Sequence, residues 1–290
     1  MTERSTAPPA LISTAGLQAE LDQADLRIFD TSVLMSPKPG GYEIESGRKA
    51  YAAQHIPGAG FIDVADELSD PAHRLRFMLP PADQFVQRMS AYGVGPGSHV
   101  VLYNSGPTWW ATRVFFMLRE FGFDAVRVLD GGFDRWRAEG RPVSDAACRY
   151  PPAQFEAGPR RGIFVDQAAV LAAVQTGTSH VVNALSAEVF AGKVAPYGRP
   201  GRIAGSVHLF AKDLLDPDTQ QFLSAGELHR RLDAAGLLDG KPVINYCGGG
   251  ISATTNAFAL HLLGRGQVSI YDASMSEWGP TDLPMESDAS

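Results

Sequence analysis

Short apolar runs alternate with longer stretches of helical pattern along the chain. One series of strand, helix and strand covers residues 100–103, 111–121 and 125–129, and a second covers residues 243–246, 253–263 and 268–271. Short continuous apolar runs are typical of strands that are buried on both faces. Their alternation with helices indicates mainly parallel sheets with helices on both faces. The pattern therefore predicts an α/β fold.

The two series belong to a longer internal repeat. The same landmarks occur in the same order in both halves: residues 26–30 with 181–183, residues 55–59 with 202–206, residues 100–103 with 242–245, and residues 129–136 with 271–278. Chance similarity would not keep these landmarks in order, so the repeat predicts two tandem α/β domains, at residues 1–148 and 160–290. Pro142, Pro151, Pro152 and Pro159 indicate a connecting segment at about residues 141–162.

The composition is that of an ordinary globular protein, with 44% hydrophobic and 20% charged residues. A net charge of −7 without a basic stretch favours neither a nucleic-acid nor an anionic-membrane partner. Residues 242–264 carry no charge, but their glycine, asparagine and hydroxyl residues favour a buried strand, loop and helix over a membrane span. Two cysteines are too few for a disulfide framework, and the N-terminus lacks the apolar region of a signal peptide. We therefore expect a cytoplasmic protein.

The most distinctive loop lies between a predicted strand and a predicted helix of the second half. It consists of Cys247, Gly248, Gly249, Gly250, Ile251 and Ser252. Ligands of parallel α/β sheets bind at the carboxyl ends of the strands, where such loops lie. Glycines let the backbone turn several N–H groups towards one point, and the helix N-terminus adds a partial positive charge. That field would favour the nucleophilic thiolate form of Cys247 and would stabilise an anionic adduct on its sulfur.

Simpler interpretations of these residues remain open. An isolated cysteine is often a small buried apolar residue, and Ser252 could cap the helix instead of donating a hydrogen bond to a bound group. In the first half, Ser105 takes the place of the cysteine, and Pro107 removes an N–H group from the turn. Because a hydroxyl does not ionise as a thiol does, the first half is predicted to be catalytically silent.

Three motifs carry a resemblance to a known family: residues 55–59 (His-Ile-Pro-Gly-Ala), residues 129–133 (Leu-Asp-Gly-Gly-Phe) with Trp136, and the Cys247 loop before Ala253. With these motifs the chain resembles, over nearly its whole length, the tandem-domain rhodanese sulfurtransferases, which include thiosulfate and 3-mercaptopyruvate sulfurtransferases. The resemblance implies an inactive N-terminal domain, an active C-terminal domain and a ping-pong reaction that uses no metal or organic cofactor. Cys247 would take the outer sulfur of a small anionic donor as a persulfide and pass it to cyanide or a thiol. Amides from Gly248 to Ser252 would form the cradle.

The loop departs from the family where substrate is bound. It has neither the basic residues common in thiosulfate enzymes nor the serine usual in mercaptopyruvate enzymes, because that position is Gly249. Phe77 stands where mercaptopyruvate enzymes have a histidine, although Asp63 matches their acidic residue. Because the serine and the histidine typical of mercaptopyruvate enzymes are both missing, thiosulfate is the expected donor and 3-mercaptopyruvate is the alternative. Asp63 and Phe77 are the candidates through which the first half would complete the site.

A substrate-binding arginine of the family is also replaced. The resemblance implies Asp-x-Arg after the first strand of the second domain, and this chain has Asn183, Ala184 and Leu185. Lys193, Arg199 and Arg202 are the candidate replacements, and each is equally interpretable as a solvated loop charge.

Three other functions fit parts of the sequence. A cysteine phosphatase needs Cys-x5-Arg, but the arginine position is Ala253. The loop matches the dinucleotide fingerprint G-x-G-x-x-G/A with Asp272 downstream, yet little chain follows Asp272 to complete such a domain. A non-catalytic rhodanese-like binding module is favoured by the lost basic residues and opposed by the intact Cys247.

Overall fold

The computed structural model describes residues 9–38 and 41–289. These residues form two compact units, and each unit combines segments that are distant in the sequence. The first unit consists of residues 9–33, 46–68 and 81–161. The second unit consists of residues 34–38, 41–45, 69–80 and 162–289. Two segments from the first half of the chain therefore belong to the unit that carries Cys247.

The elements of the first half are, in chain order, β1 Leu11–Ile12, α1 Thr14–Glu20, β2 Leu26–Asp30, β3 Val33–Lys38, β4 Gly41–Ser46, α2 Arg48–Ala53, β5 Gly60–Phe61, α3 Ala82–Ala91, β6 His99–Tyr103, α4 Trp109–Glu120, β7 Val126–Leu129 and α5 Gly132–Ala138. Strands β3 and β4 form a two-stranded sheet of their own.

The elements of the second half are β8 Phe164–Val165, α6 Gln167–Thr176, β9 His180–Asn183, α7 Ala187–Phe190, β10 Arg202–Ile203, β11 Val207–His208, a 3-10 helix at Ala211–Leu214, α8 Ala225–Ala234, β12 Val243–Tyr246, α9 Ala253–Leu262, β13 Val268–Tyr271, α10 Ser274–Trp278 and β14 Met285–Glu286. Strands β10 and β14 pair in antiparallel fashion.

Both units are built on a five-stranded parallel sheet of the same topology. The strand order is β1-β7-β6-β2-β5 in the first unit and β8-β13-β12-β9-β11 in the second. Every pair of neighbours in the two sheets is parallel. The central strands β6 and β12 are the apolar runs of the sequence, and all residues of β12 are buried. The predicted duplicated α/β fold is therefore confirmed.

At the central strand, the structural alignment of the two halves is shifted by one residue from the alignment that the sequence predicts. The hydroxyl of Tyr103, at the end of β6, accepts a hydrogen bond from Ile56 N at 3.3 Å. The hydroxyl of Tyr246, at the end of β12, accepts the same bond from Ile203 N at 3.1 Å. Tyr103 therefore corresponds to Tyr246, and the pairing with Asn245 that the sequence pattern predicts is wrong by one residue.

The expected connecting segment packs against the first unit. Phe155 is buried, and its ring lies 5.7 Å from that of Phe85. The hydroxyl of Tyr150 accepts a hydrogen bond from Ile28 N at 2.8 Å and donates one to Gly58 O at 2.6 Å. Residues 149–161 belong to the first unit because of such contacts.

Residues 242–264 form β12, the Cys247 loop and α9, as the sequence predicts. Among the described residues, no helix has both the length and the apolarity that a membrane crossing requires.

Candidate active site

Cys247 directly follows the last residue of β12, the central strand of the second sheet. The neighbouring strands β9 and β13 run parallel to β12, so three strands end at the same edge of the sheet. The cysteine is 2% exposed and is a free thiol. In the loop that follows, Gly249 and Ser252 are half-buried, whereas Gly248, Gly250 and Ile251 are buried. The sequence thus predicted the position of the thiol at the carboxyl edge of the sheet, and the structure adds that the thiol is almost fully covered.

A second segment, from Ala273 to Ser276, holds this loop in place. The hydroxyl of Ser274 accepts hydrogen bonds from Cys247 N at 3.0 Å and from Gly250 N at 3.1 Å. Met275 N donates to Cys247 O at 3.0 Å, and Ser276 N donates to Gly248 O at 2.8 Å. Hydrogen bonds therefore fix the loop from Cys247 to Gly250 against this segment.

Several amides of the loop are left for a bound group. Within the described residues, the N–H groups of Gly248, Gly249, Ile251 and Ser252 donate to no acceptor of the protein. Adjacent unpaired N–H groups before a helix N-terminus form a site suited to an anion. The predicted cradle accordingly loses one amide, that of Gly250, which Ser274 occupies.

Ser252 does not cap helix α9. Its backbone has helical angles, with φ −64° and ψ −22°, and its side chain makes no capping hydrogen bond. A capping serine instead has extended backbone and accepts from an amide two or three residues later. Of the two interpretations of Ser252, the structure disfavours the cap and leaves a half-buried hydroxyl beside the unpaired amides.

Tyr197 is a neighbour of the loop that no sequence pattern indicates. A Cβ atom added to Gly248 would lie 2.1 Å from the Tyr197 hydroxyl oxygen, so the phenol lies directly against the Gly248 backbone. At Gly249, an added Cβ would meet only Ser276 Oγ, at 3.9 Å. Nothing in the sequence pairs Tyr197 with Gly248, because the contact joins two loops that are distant in the chain.

The recorded partners of the three candidate cations lie outside the Cys247 loop. Arg199 donates to Leu283 O at 2.7 Å and to Gly279 O at 3.3 Å. Arg202 pairs with Asp288 at 2.9 Å and with Glu286 at 3.5 Å. Lys193 is exposed. Its positive charge is one of the groups that lower the pKa of the Glu188 carboxyl. Among the described residues, no hydrogen bond or ion pair joins these cations to residues 247–252.

Asp63 belongs to the first unit and is 4% exposed. One carboxylate oxygen accepts a hydrogen bond from Ser46 Oγ at 2.7 Å, and the other accepts one from Asp66 N at 3.1 Å. Arg48 Nη2 lies 3.8 Å from Asp63 Oδ2. Asp63 therefore has well-defined partners within its own unit.

Phe77 lies on residues 69–80, which belong to the second unit. Its φ of +64° is in the left-handed region, and the residue is 7% exposed. Two residues later, Leu79 N donates to Asp272 Oδ2 at 2.8 Å, and Met78 packs on the core cluster that includes Tyr246 and Met275. The Phe77 segment is thus brought to the turn that precedes Ser274. The same hydrogen bond occupies one carboxylate oxygen of Asp272, the acidic residue that the dinucleotide interpretation noted downstream of the glycines.

The corresponding loop of the first unit is built differently. Phe133 N donates to Asn104 O at 3.1 Å, as Met275 N donates to Cys247 O at 3.0 Å, so Asn104 occupies the position of Cys247. The expectation that Ser105 takes that place is wrong by one residue, for the same reason as at Tyr103. The Asn104 amide donates to the carbonyl oxygens of Ser105 at 2.7 Å and Pro107 at 2.9 Å. An amide side chain therefore fills the centre of this loop.

Comparisons with known proteins agree with the duplicated fold. A family model described as a rhodanese-like domain matches residues 13–139 and, a second time, residues 167–280. The probable 3-mercaptopyruvate sulfurtransferase of Pseudomonas aeruginosa is 32% identical over 276 residues, which are 92% of this chain and 94% of that protein. The thiosulfate sulfurtransferase of Bos taurus is 32% identical over 279 residues, which are 93% of this chain and 91% of that protein.

A solved structure extends this similarity to three dimensions. The crystal structure of SseA from Escherichia coli, described as having the rhodanese fold of 3-mercaptopyruvate sulfotransferases, superposes with a TM-score of 0.81 and 28% sequence identity. The superposition covers 92% of this chain and 99% of that one.

Proposed function

The chain belongs to the rhodanese family of sulfurtransferases, and we propose that it transfers sulfur through a persulfide on Cys247, at the loop of the C-terminal domain. One observation carries this proposal. The thiol lies at the carboxyl edge of the sheet, in a loop whose amides at Gly248, Gly249, Ile251 and Ser252 have no acceptor among the described residues. We further propose residues 160–290 as the catalytic domain and residues 1–148 as an inactive copy.

The chemistry is a double displacement at sulfur. The Cys247 thiolate attacks the outer sulfur of thiosulfate, a new S–S bond forms, and the old S–S bond breaks as sulfite leaves with its electron pair. The persulfide then carries the negative charge on its outer sulfur. Cyanide attacks that sulfur, thiocyanate leaves, and the thiolate is restored. No electron or proton has to be supplied from outside.

The loop is suited to the anionic states of this cycle. Preorganised N–H groups in a covered site stabilise developing negative charge without reorganisation. The N-terminus of α9, which begins at Ala253, adds a partial positive charge within its first turn. The persulfide anion would therefore be held by backbone groups, and no charged side chain of the loop is needed.

Thiosulfate is our proposed donor, with 3-mercaptopyruvate as the alternative. Cys247 is 2% exposed, which favours a small donor whose outer sulfur projects from a compact anion. Sequence identity does not discriminate between the two donors, because a relative named as a 3-mercaptopyruvate sulfurtransferase and one named as a thiosulfate sulfurtransferase are both 32% identical to this chain. Steady-state rates with the two donors, measured side by side with cyanide as acceptor, decide between them. A kcat/KM that is higher for 3-mercaptopyruvate would reverse the assignment.

The central test is the intact mass of the protein before and after thiosulfate. We expect a gain of one sulfur that disappears on addition of cyanide, and no gain in Cys247→Ser. Cys148→Ser is the matched control, because Cys148 is the other free thiol and its sulfur donates a hydrogen bond to Gly58 O. It should gain sulfur as the wild type does. A wild-type protein that gains no sulfur from either donor would instead be a non-catalytic binding module.

A pair of variants at Gly249 tests the backbone cradle. Gly249→Pro removes one unpaired N–H, and we expect the rate of persulfide formation to fall by about 10- to 1000-fold. Gly249→Ala keeps that N–H and adds a Cβ that makes only an ordinary contact, 3.9 Å from Ser276 Oγ, so its rate should stay near that of the wild type. Equal rates in the two variants would mean that this amide does not stabilise the anion.

A further inference from the structure

Ser274 has an unusual backbone conformation beside the Cys247 loop. Its φ is +51°, in the left-handed region that residues with a Cβ seldom adopt, and its side chain is fully buried. Strain of this kind persists only where surrounding structure imposes it, and it is concentrated at functional sites. The strained residue is therefore a starting point for a functional assignment.

The hydroxyl of Ser274 makes all the hydrogen bonds that a hydroxyl can make. It accepts from Cys247 N at 3.0 Å and Gly250 N at 3.1 Å, and it donates to Tyr271 O at 2.7 Å. A serine hydroxyl has one hydrogen to donate and two acceptor lone pairs. The hydroxyl consequently has no capacity left for the sulfur, and any effect on the chemistry must pass through the loop.

The first unit shows that glycine suffices for this turn of the backbone. Gly132 is the counterpart of Ser274, and its φ is +58°. An added Cβ at Gly132 would lie 2.3 Å from Asn104 O, so a serine does not fit there. In the second unit Ser274 adopts the same conformation although its Cβ makes that conformation sterically unfavourable. The group that Ser274 has and glycine lacks is the hydroxyl.

We propose that Ser274 is a positioning residue for the sulfur-transfer loop, an inference that rests on the proposed role of Cys247. One oxygen ties the amides of Cys247 and Gly250 together and so sets the curvature of the backbone between them. The amides of Gly248, Gly249, Ile251 and Ser252, which have no acceptor among the described residues, then remain available to the anion. Without that oxygen, the buried N–H groups of Cys247 and Gly250 lose their acceptor, and the loop is expected to move to satisfy them.

Two substitutions separate positioning from stability. Ser274→Ala removes the hydroxyl and keeps the backbone strain, whereas Ser274→Gly removes the hydroxyl and relieves the strain. The glycine variant should therefore have the higher Tm of the two. If the hydroxyl positions the loop, both variants lose a similar factor in the rate of persulfide formation, about 10- to 100-fold. Thr281→Ala is the control, because its hydroxyl donates to Trp278 O outside the loop, and its rate should be unchanged.

A second measurement follows the loop without sulfur transfer. In a Cys148→Ser background, Cys247 is alkylated with iodoacetate and with iodoacetamide, and the ratio of the two rates reports how well the site attracts an anion. We expect this ratio to fall in both Ser274 variants. The positioning role is wrong if rate and ratio are unchanged in either folded variant, or if the loss of rate follows the loss of Tm. Absence of any persulfide in the wild type would overturn the proposed function instead, and the alkylation ratio would still test Ser274.

Discussion

Gly248 and Gly249 are neighbours in the loop, but their surroundings differ. We expect Gly248→Ala to be strongly impaired in persulfide formation, because its Cβ would lie 2.1 Å from the Tyr197 hydroxyl oxygen. Forcing an extra carbon into a packed site costs about 1–3 kcal/mol. Gly249→Ala places its Cβ at an ordinary contact distance of 3.9 Å from Ser276 Oγ and should be close to wild type in both activity and Tm.

Removing the opposing side chain tests the cause of that impairment. Tyr197→Ala in the Gly248→Ala background should restore stability and part of the rate, giving a double-mutant coupling of about 1–3 kcal/mol. Purely additive effects would show that Gly248 is needed for some reason other than the contact with Tyr197.

The buried carboxyl of Asp30 should make the stability of the protein depend on pH, whereas its counterpart in the repeat, Asn183, cannot titrate. Burial raises the pKa of Asp30 from its ordinary value of 3.8 to about 6. Stability from proton binding is therefore present below about pH 4 and is lost as the pH rises through about 6. Asn183 occupies the equivalent strand end, and its Oδ1 accepts from Leu185 N at 2.8 Å, as Asp30 Oδ1 accepts from Ser32 N at 2.8 Å.

Asp30→Asn should accordingly stabilise the protein at pH 7.5. The neutral amide keeps the acceptor oxygen and avoids the buried charge, so we expect a gain of about 1–3 kcal/mol in the free energy of unfolding. About 1 kcal/mol of that gain should be gone at pH 5, where the wild-type carboxyl is largely protonated. Denaturant unfolding at the two pH values measures both quantities, and a gain that does not depend on pH would contradict the assignment.

At the residue scale, the sequence predicts only part of the site. Cys247 and its glycines form one continuous segment, so their spacing alone indicates a strand end and a turn into a helix. Ser274 and Tyr197 reach the loop from other segments, and no local pattern marks them. The pairing of Ser105 with Cys247 failed because apolar strands align equally well one residue apart, and only the Tyr103 and Tyr246 hydrogen bonds fix the register.

At the scale of elements, the central strands and helices were predictable because parallel strands covered on both faces are continuously apolar. The strand predicted at residues 268–271 has those bounds, and the helix predicted at residues 253–263 ends one residue earlier. The membership of residues 69–80 in the second unit was not predictable. It depends on contacts such as that between Leu79 and Asp272, which residues far apart in the chain make.

The connecting segment is expected to stabilise the first unit. Phe155 is 3% exposed and packs beside Phe85 and Phe123, so Phe155→Ala should lower the free energy of unfolding by about 3–5 kcal/mol. The neighbouring variant Glu156→Ala changes an exposed residue and should be neutral. Scanning calorimetry of the two variants compares them directly. A neutral Phe155→Ala would mean that the segment is only a tether.

At the scale of the whole molecule, duplication has produced two equivalent loops that offer opposite hydrogen-bonding groups, carbonyl acceptors in the first unit and N–H donors in the second. In the first unit, Ser105 N donates to Ser32 Oγ at 2.9 Å, Gly106 N donates to Asp134 Oδ2 at 2.7 Å, and Pro107 has no N–H. The carbonyl groups of this loop converge on the Asn104 amide. In the second unit, the amides of Gly248 and Gly249 have no acceptor among the described residues. The first loop is therefore arranged around a hydrogen-bond donor, and the second is arranged for an anion.

This difference predicts that a thiol alone will not activate the first unit. Asn104→Cys in the Cys247→Ser background puts a cysteine at the position equivalent to Cys247, but carbonyl oxygens surround it and would repel a thiolate. We expect no gain of sulfur from thiosulfate in the intact mass, and a lower Tm, because three carbonyl groups lose their donor. A persulfide on residue 104 would show that strand-end placement suffices and that the unpaired amides of the Cys247 loop are dispensable.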